Sequence, residues 1–376
     1  MARVDDAWDL FFFQSVPKKK DVLDARNRTR ARPRNKMGGG ADAAYAAAFF
    51  LTFGGVPAAL VALLVSQRRH MSAARWTALA LAYAAVYRRD ARKPFGRDSA
   101  WFRSVLNSLV MPLFEEQGGK VILDAPIPPQ GCYCVLGAPH GVVPLYFLGV
   151  TDWFKYGPEA KSPVALGANV MFNIPGLREI CLNFAIPSTA ANFARLAEAR
   201  RSISLVPGGV AEMTLIRPGK QISLVTKHTG FVKLCLQHGV SMLPVFAFGE
   251  NNCWVQKRPP AAVANAVARL TGGWYPFWYE GEYACIPKRG PVVIVSAAPI
   301  DVPKTAKPSD ELVAEYHEKF YASLSALVRK YKAELPEFAD VQVEFIGKPH
   351  LNVDWRNGKA VPVASGPSAS ASRAKL

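Results

Sequence analysis

The chain has 376 residues, half of them hydrophobic, with a formal net charge of +17 and 6 cysteines. It is long enough for one large domain or two. The basic excess raises nucleic-acid binding, but no zinc-finger spacing or other nucleic-acid signature accompanies it, which argues against that partner. No CxxC pair occurs, so the cysteines read as reduced, mostly buried thiols with neither a metal site nor a disulfide framework.

Residues 1–40 read as a basic, disordered cytosolic tail. Between positions 18 and 36, nine Lys and Arg stand against Asp21 and Asp24. Such a run rests on an anionic leaflet. The apolar stretch begins too late for a signal peptide.

Residues 41–90 read as a membrane hairpin. Positions 43–66 hold no charged residue, which suffices to cross a hydrocarbon core of roughly 30 Å as a helix. Gly54, Gly55 and Pro57 interrupt this run near its middle. Arg68 and Arg69 fill the turn, and a shorter apolar stretch, 76–87, returns. Basic residues at both outer ends favour cytosolic termini, and the turn arginines favour a shallow dip over a deep lumenal loop. The competing reading is a buried apolar hairpin of a soluble protein.

Residues 91–350 alternate strand and helix patterns, the mark of an α/β domain. Strands are expected at 132–136, 202–206, 241–247 and 291–297. Helices are expected at 192–201, 230–238 and 309–334. In the last helix Leu312, Tyr316, Phe320, Leu324 and Leu327 form one apolar stripe, and Ser309 can cap it. The cluster Trp274-Tyr275-Pro276-Phe277-Trp278-Tyr279 reads either as an interfacial anchor or as a packed loop. Residues 351–376, rich in Ala, Ser, Pro and Gly, read as a disordered tail. Their end, Ala374-Lys375-Leu376, is close to a peroxisomal address.

Two strand-to-glycine junctions carry the chemistry. The apolar run 132–136 leads into Gly137-Ala138-Pro139-His140-Gly141, which places a histidine between Pro and Gly at a strand end. The run 203–206 leads into Pro207-Gly208-Gly209-Val210-Ala211-Glu212, which offers a carboxylate. A catalytic base with a carboxylate partner fits this pattern, and so does a core histidine beside an ordinary turn.

At these junctions the chain resembles the type 2 acyl-CoA:diacylglycerol acyltransferases and their monoacylglycerol and wax-ester relatives. That family carries a His-Pro-His-Gly or Glu-Pro-His-Gly block and a Gly-Gly-x-x-Glu block, here 138–141 and 208–212. Further blocks follow in order: 173–179 (NIPGLRE), 217–220 (RPGK), 230–234 (GFVKL), 243–251 (LPVFAFGEN), 299–303 (PIDVP) and Tyr316-His317. The resemblance covers roughly residues 100–335. It implies a mixed-sheet α/β acyltransferase-like domain behind an N-terminal membrane-embedded helical hairpin. One departure is Ala138, where the family has its first His or Glu.

The implied reaction joins an acyl thioester to a glyceride hydroxyl. The substrates would be acyl-CoA and diacylglycerol at a phospholipid membrane, with no metal or cofactor, and the product triacylglycerol. Monoacylglycerol or a fatty alcohol is the alternative acceptor. The resemblance places the protein in the endoplasmic reticulum membrane or on a lipid droplet.

An alcohol needs a base as it attacks, and imidazole suits neutral pH. His140 is the expected base, with Pro139 shaping its turn. Many glycerolipid acyltransferases keep an aspartate five positions after their histidine, but here Leu145 stands there. Glu212 is therefore the expected partner of the imidazole. Backbone amides around Gly141, Gly208 and Gly209 are candidate oxyanion donors. Arg178, Lys220, Lys227 and Lys233 are candidates for the CoA phosphates. Glu250 and Asn251 are candidates for shaping the site, and His317 reads as structural. A lipid esterase would want a Gly-x-Ser-x-Gly elbow, which the chain lacks. A non-catalytic scaffold is the remaining rival.

Overall fold

A computed structural model describes Ser66 and residues 72–347, apart from 100–101, 103–110, 147–161, 174–175, 267–277, 282–286 and a few other positions, and the strand pair 351–354 and 359–362. The basic tail, the uncharged run up to Val65, most of the aromatic cluster and the C-terminal tripeptide lie outside the described residues.

In chain order the strands are β1 Lys120–Leu123, β2 Tyr133–Ala138, β3 Val164–Gly167, β4 Ala185–Pro187, β5 Ile203–Leu205, β6 Gln221–Val225, β7 Ser241–Phe248, β8 Val255–Lys257, β9 Trp278–Glu280, β10 Val293–Ser296, β11 Gln342–Ile346, β12 Leu351–Asp354 and β13 Lys359–Pro362. The helices are α1 Ala73–Ala91, α2 Met111–Glu116, α3 Leu177–Cys181, α4 Ala190–Glu198, α5 Gly209–Leu215, α6 Gly230–His238 and α7 Asp310–Glu334.

Seven strands form one sheet in the order β1-β10-β7-β2-β5-β3-β4. From β7 to β4 the neighbours run parallel, whereas β10 is antiparallel to β7 and parallel to β1. The sheet is therefore mixed, as expected. The pattern-derived strands correspond to β2, β5, β7 and β10, and the helices to α4, α6 and α7.

Both faces of the sheet are covered. Successive side chains of a strand point to opposite faces. Cys134, Leu136 and Ala138 of β2 join Met242, Phe246 and Phe248 of β7 in one cluster, completed by Phe193 of α4, Leu236 of α6 and Phe320 of α7. Tyr133 and Val135 join Leu243, Val245 and Ala247 in a second cluster with Tyr146 and Trp254. Burial on both faces explains why these strands read as continuous apolar runs. The Ser309 hydroxyl accepts the Leu312 amide at 3.2 Å and caps α7. Phe320, Leu324 and Leu327 of its stripe are buried, while Leu312 and Tyr316 are only partly so.

The helix α1 covers the second, shorter apolar stretch of the expected hairpin. Its apolar side chains lie on the surface: Leu81 is 66% exposed, Leu79 44% and Tyr87 43%. Among the described residues no helix is long and apolar enough to cross a membrane. One side of α1 is tied to α3. The Tyr83 hydroxyl donates to Glu179 at 3.2 Å, and the Arg178 guanidinium lies 3.9 Å from the centre of the Tyr87 ring. The antiparallel pair β12 and β13 falls within the stretch read as a tail.

Candidate active site

Three neighbouring parallel strands, β7, β2 and β5, end on the same edge of the sheet. Ligands of open parallel sheets bind outside the carboxyl ends of the strands. The centre strand, β2, runs into Pro139-His140-Gly141. Beyond β7 follows Gly249-Glu250-Asn251. Beyond β5 follows the turn into α5, which carries Glu212. The histidine thus emerges between two carboxylates, each from an adjacent strand about 4.8 Å away.

Both carboxylates bond to the backbone of the histidine turn. Glu212 Oε1 accepts the His140 amide at 2.5 Å, and Oε2 accepts the Val225 amide at 2.8 Å. Glu250 Oε1 accepts the Gly141 amide at 3.0 Å. Two successive peptide N–H groups are therefore held by two buried acids. The glycines explain the close approach. A β-carbon on Gly141 would overlap Glu250 Oε1, and one on Gly208 would overlap Glu212 Oε2. The peptide between Ala138 and Pro139 is cis.

Burial dominates the electrostatics. It pushes the Glu212 carboxyl up to about 7, against the Val225 and His140 amides that favour its charge. It pushes Glu250 up to about 8, and the neighbouring Glu212 adds to the rise. The Leu145 and Tyr146 amides also face Glu250 and favour its ionised form. Oε2 itself is buried without a hydrogen-bond partner among the described residues. Burial lowers the His140 imidazole below its ordinary 6.5.

The ring of His140 meets a different partner from the one expected. Its Nδ1 lies 2.6 Å from the Gly141 carbonyl, so Nδ1 carries the proton and Nε2 is the basic nitrogen. The hydrogen bonds of Glu212 go to the His140 and Val225 amides and not to the imidazole. The turn after Pro139 aims the His140 amide, not its side chain, at that carboxylate.

Two of the three oxyanion candidates have their amides engaged within the fold. The Gly141 amide is held by Glu250, and the Gly209 amide donates to the Val206 carbonyl at 3.2 Å. At 141 and 208, glycine makes room for a carboxylate.

The cation candidates separate. Arg178 is 5% exposed; it pairs with Glu179 at 2.9 Å and donates to the Tyr87 carbonyl at 3.2 Å. These contacts tether α1 and engage the guanidinium within the fold. Lys220 pairs with Asp340 at a cleft of about 240 Å³ that Lys288, Arg289 and Gly249 also line. Lys227 is half-buried beside Gly347, and Lys233 is exposed on α6. Asn251 Nδ2 donates to the Arg217 carbonyl at 3.1 Å and the Gly219 carbonyl at 2.8 Å, which pins that loop behind Glu250.

Sequence reasoning missed two features. The first is the bond from Glu250 to Gly141. Its one signal was an acid placed directly after the buried strand that ends Phe248-Gly249. The second is Tyr146, fully buried beneath Gly137, whose hydroxyl meets Ser204 Oγ at 3.0 Å. Cys134, two residues into β2, is a core thiol raised by burial and by the nearby Cys235.

Similarity to known proteins covers this same region. The family model described as diacylglycerol acyltransferase matches residues 71–345. The chain is 28% identical to diacylglycerol O-acyltransferase 2 of Dictyostelium discoideum, over 61% of this chain and 74% of that protein. It is 27% identical to 2-acylglycerol O-acyltransferase 3 of Homo sapiens, over 67% of this chain and 79% of that one. Among solved structures, the 1-acyl-sn-glycerophosphate acyltransferase PlsC from Thermotoga maritima overlays with a TM-score of 0.40 and 14% identity. It covers 67% of this chain and 89% of its own.

Proposed function

Because the chain belongs to the diacylglycerol acyltransferase family, we propose that it transfers a fatty acyl group from acyl-CoA to the free hydroxyl of diacylglycerol, giving triacylglycerol. The observation that carries the site assignment is the fixed imidazole. Its Nδ1 is held on the Gly141 carbonyl, and Nε2 has no partner among the described residues. Burial keeps the ring neutral and able to accept a proton.

Nε2 of His140 takes the hydroxyl proton as the alcohol oxygen attacks the thioester carbonyl. The tetrahedral adduct then expels the thiolate, which recovers that proton from the imidazolium. The C–O ester bond forms, the C–S bond breaks, and free CoA leaves. Glu212 acts through the backbone. It anchors the His140 amide and ties the turn to β6 through Val225.

The same reading puts the protein on a phospholipid membrane, in the endoplasmic reticulum or on a lipid droplet, with both termini cytosolic. Support comes from the uncharged run 43–66, the exposed apolar surface of α1, and Arg88 and Arg89 in its last turn. Truncation to residue 92 abolishes integral anchoring on this reading, and alkaline carbonate extraction tests it.

The similarity to a 2-acylglycerol acyltransferase makes monoacylglycerol the second acceptor to try, followed by a fatty alcohol. Membranes carrying the protein are mixed with labelled acyl-CoA and each acceptor in turn. Neutral ester identifies the transferase and its acceptor. Free fatty acid alone indicates an esterase, and no product a scaffold.

A further inference from the structure

Glu250 takes no part in the proton transfer at His140, yet it sits where an acid is costly. It is 1% exposed. Oε1 holds the Gly141 amide, and Oε2 is buried without a hydrogen-bond partner among the described residues. A buried carboxyl with one oxygen unsatisfied is costly to keep in a fold, most of all when ionised, so its presence calls for a reason. The position is kept open for it by Gly141, where any side chain would overlap the carboxyl.

The groups around Glu250 come from each neighbouring element. Glu212 faces it from α5 and disfavours its charge; the amides of Leu145 and Tyr146, beyond β2, favour it. The Tyr146 phenol and the Cys253 thiol are both held protonated by burial, with Glu250 adding to each. Tyr321 of α7, next to Glu212, is likewise raised. His140 is therefore the one group of this set that gains positive charge during the reaction, and it is bonded through its own turn to both acids.

We propose that Glu250 is a positioning residue for acyl transfer: it fixes the Gly141 amide through Oε1 and, together with Glu212, supplies the negative charge against which His140 becomes imidazolium. This rests on His140 being the base. The reaction then needs the carboxyl pair to have lost a proton. The acid limb of the kcat–pH profile falls between about pH 7 and 8, where the pair ionises. An imidazole acting alone would set that limb below 6.5.

The test is the pH dependence of kcat and KM for full-length wild type and Glu250→Gln in detergent micelles, with thermal melts to confirm folding. Glutamine keeps an acceptor for Gly141 but carries no charge. Its kcat falls at least about tenfold, while KM for acyl-CoA changes by less than about twofold. The acid limb moves to lower pH, toward the Glu212 value of about 7, because the carboxyl that titrates near 8 is gone. An unmoved limb, or a wild-type limb below 6.5, overturns the proposal; the wild-type profile decides even where the variant fails to fold. Absence of transfer by wild type to every acceptor would instead remove the functional reading beneath it.

Discussion

Gly141 and Glu250 are locked together across 109 residues of sequence: the Gly141 amide donates to Oε1 at 3.0 Å, and the space of a β-carbon at 141 is occupied by the same oxygen. Gly141→Ala must therefore displace either the carboxyl or the turn. The expected result is a fall in transfer rate of at least about tenfold with a lowered melting temperature. Initial rates at matched protein levels, with a melt in micelles, measure both.

Glu212→Gln loses one of two amide contacts, because a carboxamide presents one acceptor oxygen where the carboxylate presents two. One buried N–H, of His140 or Val225, is left facing an NH₂ group. The cost is about 1–3 kcal/mol of stability, and the rate falls because the turn carrying His140 is no longer fixed. Denaturant titration reads the first effect and steady-state kinetics the second. A variant as stable and as active as wild type would remove Glu212 from the site.

The buried acids also make stability depend on pH. Both carboxyls titrate higher in the folded chain, near 7 and 8, than their ordinary 4.5. Their contribution is complete below about 4.5 and is lost as pH rises through the folded values. His140, His228 and His317 are lowered by burial, so their contribution is complete above 6.5 and falls away only below it. Between pH 6.5 and 8 the carboxyls govern. The melting temperature should fall across that window, and fall less steeply in Glu250→Gln.

Arg178 holds α1 through Tyr87 and pairs with Glu179. Arg178→Ala should leave KM for acyl-CoA unchanged and make the peptide bonds of 72–91 more sensitive to limited proteolysis. A several-fold rise in KM with unchanged proteolysis would restore the phosphate-binding role.

The legible parts of the sequence were those set by local pattern. Continuous apolar runs marked β2, β5, β7 and β10 because both sheet faces are covered. The stripe Phe320, Leu324 and Leu327, capped by Ser309, marked α7. His140, Glu212 and Glu250 stood out because each follows a buried strand at a glycine turn. Their partners were not legible. Which atom of a turn a carboxylate reaches depends on how β7, β2 and β5 lie side by side, a non-local pairing that no spacing encodes. Arg178 read as a candidate for the CoA phosphates because its partner Tyr87 lies some 90 residues earlier. Short elements such as β3, β4 and α5 carry too few residues to show a period.

On this mechanism His140 alone among the six histidines performs the proton transfer. His238 packs on Phe193 and His317 on Tyr321, which are packing roles. His70 and His350 lie outside the described residues. The decisive measurement is acyl transfer from labelled acyl-CoA to diacylglycerol by six single His→Ala variants at matched protein levels in membranes. Transfer is expected to be abolished in His140→Ala and retained in the other five. Substantial triacylglycerol synthesis by His140→Ala would contradict it.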